Sequence, residues 1–101
     1  MDKITVNKNT EDNIITIDIQ GTFDYRLHRD FRNAYRDEHE NYCYIINLEK
    51  AEYMDSAALG MLLLLREHVG GEQKKITING CRPKIKKTFA IAQFDQLFTI
   101  Q

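Results

Sequence analysis

A serine directly follows an aspartate at the start of a long apolar run. Asp55 and Ser56 precede residues 57–65, which are apolar except for Gly60. An Asp-Ser pair in this position is typical of a helix start, where backbone N–H groups lack partners and the helix dipole favours negative charge. Ser56 can therefore cap the helix, which is the common use of such a serine, or present a hydroxyl that accepts a phosphate. From the residues alone both interpretations remain open.

Other chemistry has no motif in this sequence. Ser56 lacks the G-x-S-x-G elbow of a hydrolase nucleophile, and there is no Gly-rich loop of the kind that holds nucleotide phosphates. The three histidines, His28, His39 and His68, lack the spacing of a zinc site and are predicted on exposed helix faces. We therefore predict a protein without catalytic residues, metal or cofactor.

Composition predicts one globular domain over residues 1–101. Hydrophobic residues make up 43% of the chain, charged residues 29%, and the net charge is -1. Such a charge gives no general attraction to nucleic acid or to an anionic membrane, and no apolar run reaches the ~20 residues of a membrane span. Cys43 and Cys81 are predicted as small core residues in a reducing compartment. We expect a cytoplasmic protein without direct nucleic acid binding or membrane insertion.

The first half of the chain predicts a hairpin, a helix and a central strand. Isoleucine or valine alternates with polar residues at 4–6 and at 15–19, on either side of a polar turn. Asp24 can cap a helix over about 25–38, with apolar residues spaced at helical intervals. Residues 42–48 combine aromatic and β-branched side chains, which predicts a central strand buried on both faces.

The second half predicts two further helices and a strand. Residues 49–54 are interpreted as a connection, and a helix from Ser56 ends at Gly70 and Gly71. Leu59, Leu63 and Leu64 widen its apolar stripe, which predicts deep packing or an apolar outer patch. The stripe itself consists of Ala58, Met61, Leu62, Leu65 and Val69.

A strand over 75–79 and a helix from Pro83 complete the core, followed by a short last strand. Ile85, Phe89 and Ala92 are predicted to face inward from this helix. The basic cluster of the same segment is interpreted as its solvated face; it comprises Arg82, Lys84, Lys86 and Lys87. Strands alternating with helices after a hairpin predict an α/β, or mixed α+β, fold with parallel strands joined by right-handed crossovers.

Several segments together resemble the STAS family, the anti-sigma factor antagonist domains. The resemblance spans almost the whole chain in order. Its motifs are GTFD at 21–24, INLE at 46–49 and YMDSAALG at 53–60, followed by Gly70-Gly71, the strand around Ile76 and Ile78, Pro83 to Ile85, and Phe89. The resemblance implies a single domain with a mixed sheet of four or five strands covered by helices on one side.

The resemblance also implies a regulatory mechanism. In bacterial partner-switching systems the serine after the aspartate is phosphorylated by an anti-sigma factor that is itself a serine kinase. The unphosphorylated antagonist binds this kinase and frees the sigma factor, and a PP2C-type phosphatase resets the phosphorylated form. The phosphorylated position here is Ser56. The partner-binding residues implied around it are Asp24, Tyr53, Met54, Asp55, Ser56 and Leu59. Capping of the helix is the alternative role for Asp55, and core packing is the alternative for Tyr53, Met54 and Leu59.

The chain departs from the family pattern at two places. Ala57 and Ala58 stand where the family usually has serine or threonine and then glycine, which leaves Ser56 as the only hydroxyl of the loop. The sequence ends at Gln101, about where many relatives begin a final helix, so a surface left uncovered there could serve as a homodimer contact or could simply belong to a smaller fold. Two alternative functions remain open: a small cytoplasmic STAS subunit of an ABC-type lipid transporter, and a nucleotide- or small-molecule-sensing module.

Overall fold

A mixed sheet of five strands forms the base of the structure, which is a computed structural model describing residues 3–38 and 41–101. Spatially the sheet runs β1-β2-β4-β6-β7, with the predicted antiparallel hairpin at one edge and parallel pairing between all later neighbours. The strands in chain order are β1 (Ile4–Asn9), β2 (Ile14–Ile19), β3 (Gly21–Phe23), β4 (Cys43–Asn47), β5 (Ala51–Met54), β6 (Ile76–Asn79) and β7 (Thr99–Ile100).

Helices cover one face of this sheet. They are α1 (His28–Asn33), α2 (Ser56–His68) and α3 (Pro83–Ile91), with 3-10 turns at Tyr25–Leu27, Gln73–Lys75 and Phe94–Gln96. The covered face carries the alternating isoleucines of β2, β4 and β6, which are at most 1% exposed. Side chains of the opposite face, such as Thr16, Ile45 and Thr77, are only half-buried. The shortest dimension, 19 Å, fits one helix layer on one sheet.

Two short strands outside the main sheet bring distant parts of the chain together. β3 and β5 pair in parallel, with Thr22 opposite Tyr53 and Phe23 opposite Met54. The N–H of Gly21 donates to the carbonyl of Lys50 at 2.9 Å. The prediction that 49–54 is a plain connection was therefore wrong. This small sheet matters because both of its strands end where a helical segment begins.

The predicted stripe of α2 is confirmed. Its residues are 0–7% exposed and pack into the single core cluster. Leu63 and Leu64 point outward, which gives α2 the apolar outer patch that was one of the two predicted outcomes. The helix ends at Gly70 and Gly71, whose φ angles are +85° and +80°. Among the described residues, no helix combines the length and apolar character that crossing a membrane requires.

The helix predicted over 25–38 is shorter than its apolar spacing suggested. The α-helical part, α1, has six residues, and turns continue toward residue 38. Phe31 and Tyr35, two of the apolar residues at helical spacing, are nevertheless buried. The α-helix is shorter because the chain changes to hydrogen bonds of the 3-10 type: the N–H of Tyr35 donates to the carbonyl of Arg32, three residues earlier, at 3.2 Å.

Some of the other predictions about burial were wrong, and those for β4 share one cause. β4 is not buried on both faces, since Cys43 is exposed and Ile45 is half-buried on the side without helices. Cys81 is half-buried, and Ala92 is exposed at the end of α3. His28 is exposed as predicted, His68 is half-buried against the carbonyl of Glu38, and His39 lies outside the described residues. The basic cluster of α3 is exposed as predicted.

Candidate functional site

Asp24 begins the first helical segment as its N-cap. Its Oδ1 accepts the N–H of Arg26 at 2.9 Å, and its extended backbone turns the chain out of β3. The Arg26 guanidinium returns to the same carboxylate, with Nη2 2.8 Å from Oδ2 and Nε 3.0 Å from it. These charge-assisted bonds hold the pKa of Asp24 below its ordinary value. Asp24 is therefore an ionised carboxylate that is paired with the guanidinium of Arg26.

Asp55 begins α2 in the same way. Its Oδ1 accepts the N–H groups of Ala57 at 3.0 Å and Ala58 at 3.3 Å. The cap of α2 is thus Asp55, and the interpretation of Ser56 as the cap was wrong. Ser56 is the first helical residue; its side chain is exposed and has no hydrogen-bond partner among the described residues. Within the described part of the chain, its hydroxyl therefore makes no hydrogen bond that stabilises the fold.

The two caps lie next to each other. Phe23 and Met54 pair across the small parallel sheet, so the residues that follow them, Asp24 and Asp55, leave the same end of it. The N–H of Asp55 donates to the carbonyl of Phe23 at 3.2 Å. Both Asp24 and, more weakly, Asp55 raise the pKa of Arg26. The site therefore contains two carboxylates, one guanidinium and the Ser56 hydroxyl.

Exposed aromatic and apolar surface surrounds these charges. Tyr53 is 51% exposed on β5, and Leu59 is half-buried one turn along α2 from Ser56. Tyr25 is 64% exposed and stacks on His28 with ring centroids 4.3 Å apart. Met54 is buried and lies beneath the loop. The predicted residues thus fall around one end of α2, on a surface that also carries exposed aromatic residues.

Sequence reasoning missed Tyr25 and Arg26. Both directly follow Asp24 in a short 3-10 turn, so their position next to a predicted cap was the available signal. Oδ1 of Asp55 and the carboxylate of Asp24 are engaged as caps, and Nδ1 of His28 lies 2.9 Å from the carbonyl of Tyr25. Among residues 3–38 and 41–101, no group of three His, Cys, Asp or Glu side chains could hold a metal. The site is suited to binding a partner surface.

The cap leads to a test of Asp55. Asp55→Ala should lower the free energy of unfolding by about 1 kcal/mol, because two N–H groups at the start of α2 lose their acceptor. Asp55→Asn should stay near the wild type, since asparagine is an equally good cap. Urea denaturation followed by circular dichroism measures both. Equal losses in the two variants would mean that the carboxylate charge, and not the cap, stabilises this helix start.

A family model and a relative each match this chain over almost its whole length. A family model described as "Mlab, STAS domain" matches residues 6–100. The STAS-domain containing protein PA14_20770 of Pseudomonas aeruginosa (strain UCBPP-PA14) is 47% identical over 98 residues, covering 96% of this chain and 97% of that protein.

Two solved structures share the fold at low sequence identity. The first, a putative anti-sigma factor antagonist from Thermotoga maritima, superposes with a TM-score of 0.79 at 14% identity, covering 96% of this chain and 84% of that one. The second is the Bacillus cell fate determinant SpoIIAA in its phosphorylated form, with a TM-score of 0.67 at 16% identity, covering 97% and 90%. These likenesses show the same mixed sheet with helices on one side.

Proposed function

This chain belongs to the STAS domain family, and from that premise we propose that it is an anti-sigma factor antagonist of a bacterial partner-switching system. Unphosphorylated, it binds an anti-sigma factor that is also a serine kinase, and the sigma factor is released. Phosphorylation of Ser56 ends this binding, and a PP2C-type phosphatase restores it. The protein itself is a non-enzymatic regulator.

One observation carries the proposal: the hydroxyl of Ser56 is exposed and unused at the start of α2. A serine that capped the helix would have its oxygen bound to backbone N–H groups, and a kinase would have to break those bonds. Here Asp55 makes them. The kinase can therefore phosphorylate Ser56 without disturbing the helix, and the phosphate changes the surface without changing the fold.

The surface around Ser56 suits a partner whose affinity for this protein changes with phosphorylation. Tyr53 and Leu59 supply aromatic and apolar contact area, while Asp24 and Asp55 follow the paired strands at the end of the small sheet where α2 begins. The buried Met54 fixes the loop from beneath. A phosphate adds about -1.5 to -2 charges to a surface that already holds two carboxylates. A partner whose docking face matched the unmodified surface would meet repulsion and desolvation cost after modification.

The proposal is tested by locating phosphate on the protein. We expect intact-mass measurement and peptide mapping of protein from growing and starved cells to find a phosphate on Ser56 in one condition and less in the other. The Ser56→Ala variant should carry none. Phosphate at another residue, or none in either condition, contradicts the proposed switch.

A glycine of α2 gives an independent test of the docking surface. Gly60 lies one turn beyond Ser56, is exposed, and has no atom within 4 Å of the position a Cβ would take. Gly60→Ala should therefore raise the free energy of unfolding by about 0.5–1 kcal/mol, because alanine favours helix. If α2 contacts the partner, the added methyl also weakens binding. Thermal denaturation and a binding titration on the same sample measure the two effects, and unchanged affinity would place the partner elsewhere.

The outer face of α2 favours a second candidate function. Leu63 and Leu64 are exposed side by side, and apolar area of this kind is more typical of a permanent subunit contact than of a reversible one. The chain would then be the small cytoplasmic STAS subunit of an ABC-type lipid transporter. Affinity purification distinguishes the two: an ATPase and a permease recovered together support the transporter subunit, and a histidine-kinase-like ATPase domain alone supports the antagonist.

A further inference from the structure

Arg26 is a surface cation that can exchange one anionic partner for another. Its side chain is 79% exposed, and its ion-pair partner among the described residues is Asp24, whose side chain is 17% exposed. The long arginine side chain loses rotamer freedom to maintain this pair, while its guanidinium stays largely in water. The guanidinium can therefore leave Asp24 when an anion of higher charge is close by. The carboxylate of Asp55, the residue before Ser56, also raises the pKa of Arg26 through its charge.

A phosphate on Ser56 would need such a cation. Helix N-termini often satisfy phosphates with their free N–H groups. In α2 the N–H groups of Ala57 and Ala58 already donate to Asp55. A phosphate on Ser56 would also share the site with that carboxylate, and two neighbouring anions repel each other. A cationic side chain nearby can balance these two anions.

We propose that Arg26 pairs with the phosphate of phosphoserine 56, exchanging its ion pair with Asp24 for one with the phosphate. The inference rests on the proposed function, because it assumes that Ser56 carries a phosphate. Its geometrical basis is the small parallel sheet, which places the turn of Asp24 and Arg26 beside the start of α2. A guanidinium binds a phosphate dianion more strongly than it binds a single carboxylate at the surface.

Asp24 need not remain without a cation after the exchange. Lys3 lines the same cavity as Asp24 and Arg26, an open space of about 310 Å³ that also touches Thr22 and Leu27. A lysine at this position can balance the carboxylate from the other side. The exchange therefore changes the surface at two points: the phosphate appears at Ser56, and the Asp24 carboxylate loses its arginine. The phosphate makes the docking surface more negative, and the exchange moves the positive charge of Arg26 from Asp24 to the phosphate without changing the total.

The second pKa of the phosphate reports the pairing. Free phosphoserine has a second pKa near 6, and a cation held against the phosphate lowers it. Phosphoserine is installed at position 56 during translation, so the experiment needs no kinase, and ³¹P NMR follows its titration. Arg26→Gln should raise this pKa by about 0.5 unit relative to the otherwise wild-type phosphoprotein. Arg26→Lys should fall between the two.

Arg29→Gln is the matched control, because it removes one exposed positive charge from the same segment. It should leave the phosphate titration within error of the unsubstituted phosphoprotein. Equal shifts in Arg26→Gln and Arg29→Gln, or no shift in either, would overturn the proposed pairing. Such a result would not affect the proposed function, which fails instead if cells never place phosphate on Ser56.

Discussion

The variant Ser56→Asp is expected to lose about 100-fold in affinity for the partner kinase, or about 2.7 kcal/mol, whereas Ser56→Ala keeps its affinity. The aspartate adds a carboxylate beside Asp55 and within the reach of Asp24, at the centre of the proposed docking surface. Like charges placed against one partner face cost several kcal/mol when they are desolvated. Isothermal titration calorimetry with the purified anti-sigma factor measures both affinities.

Folding does not confound this comparison. An acidic residue in the first turn of a helix is stabilising by about 0.3–1 kcal/mol, so Ser56→Asp should unfold no earlier than the wild type. Ser56→Ala removes a hydroxyl that caps nothing among the described residues. A loss of binding in the aspartate variant would then be a property of the surface. Equal affinities of the two variants would refute the switch at Ser56.

The largest effect on stability is expected from Gly80→Ala. Gly80 has a φ of +76°, and a Cβ there would lie 2.8 Å from the backbone nitrogen of Glu49 and 3.0 Å from Oδ1 of Asn47. Those two atoms are hydrogen-bonded to each other at 3.1 Å, so neither can move freely. We expect a loss of about 2–4 kcal/mol in the free energy of unfolding, measured by urea denaturation.

Gly70→Ala separates the two causes of that loss. Gly70 has a similar φ of +85°, but nothing lies within 4 Å of its Cβ position. This variant should lose only the cost of the left-handed backbone, about 1–2 kcal/mol. The difference between the two glycines is then the cost of the steric overlap with the turn after β4. If both variants lose the same free energy, the turn moves aside and the overlap carries no cost.

Periodicity explains which parts of the fold could be predicted from the sequence. The alternating isoleucines of β2 and the helical stripe of α2 each repeat often enough to define an element and its buried face. The short pairing of β3 with β5 could not be found in this way, because strands of three and four residues show no repeat. Their pairing depends on contacts between Gly21 and Lys50, far apart in the chain.

Composition misled where burial depends on the neighbouring layer. The aromatic and β-branched residues of β4 are typical of a strand covered on both sides. In this fold the helices lie on one side only, so Ile45 is half-buried and Cys43 is exposed. No property of those two residues alone could have shown this.

The candidate site was predictable where a motif names the residue. Asp24, Asp55 and Ser56 belong to the segments that carry the family resemblance, and the structure places their segments at one end of the small sheet. The role of Arg26 depends on the direction of its side chain, which spacing does not encode. In the sequence, nothing distinguishes Arg26 from the chain's other arginines.

The division of tasks between Asp55 and Ser56 also bears on the lifetime of the protein in a cell. Proteases degrade a domain in proportion to the time it spends unfolded, so a modification that weakened α2 would shorten its half-life. In the proposed switch Asp55 holds the helix and the next residue carries the phosphate, so repeated phosphorylation and dephosphorylation would leave the protein's abundance unchanged. The total amount and the active fraction could then be controlled separately.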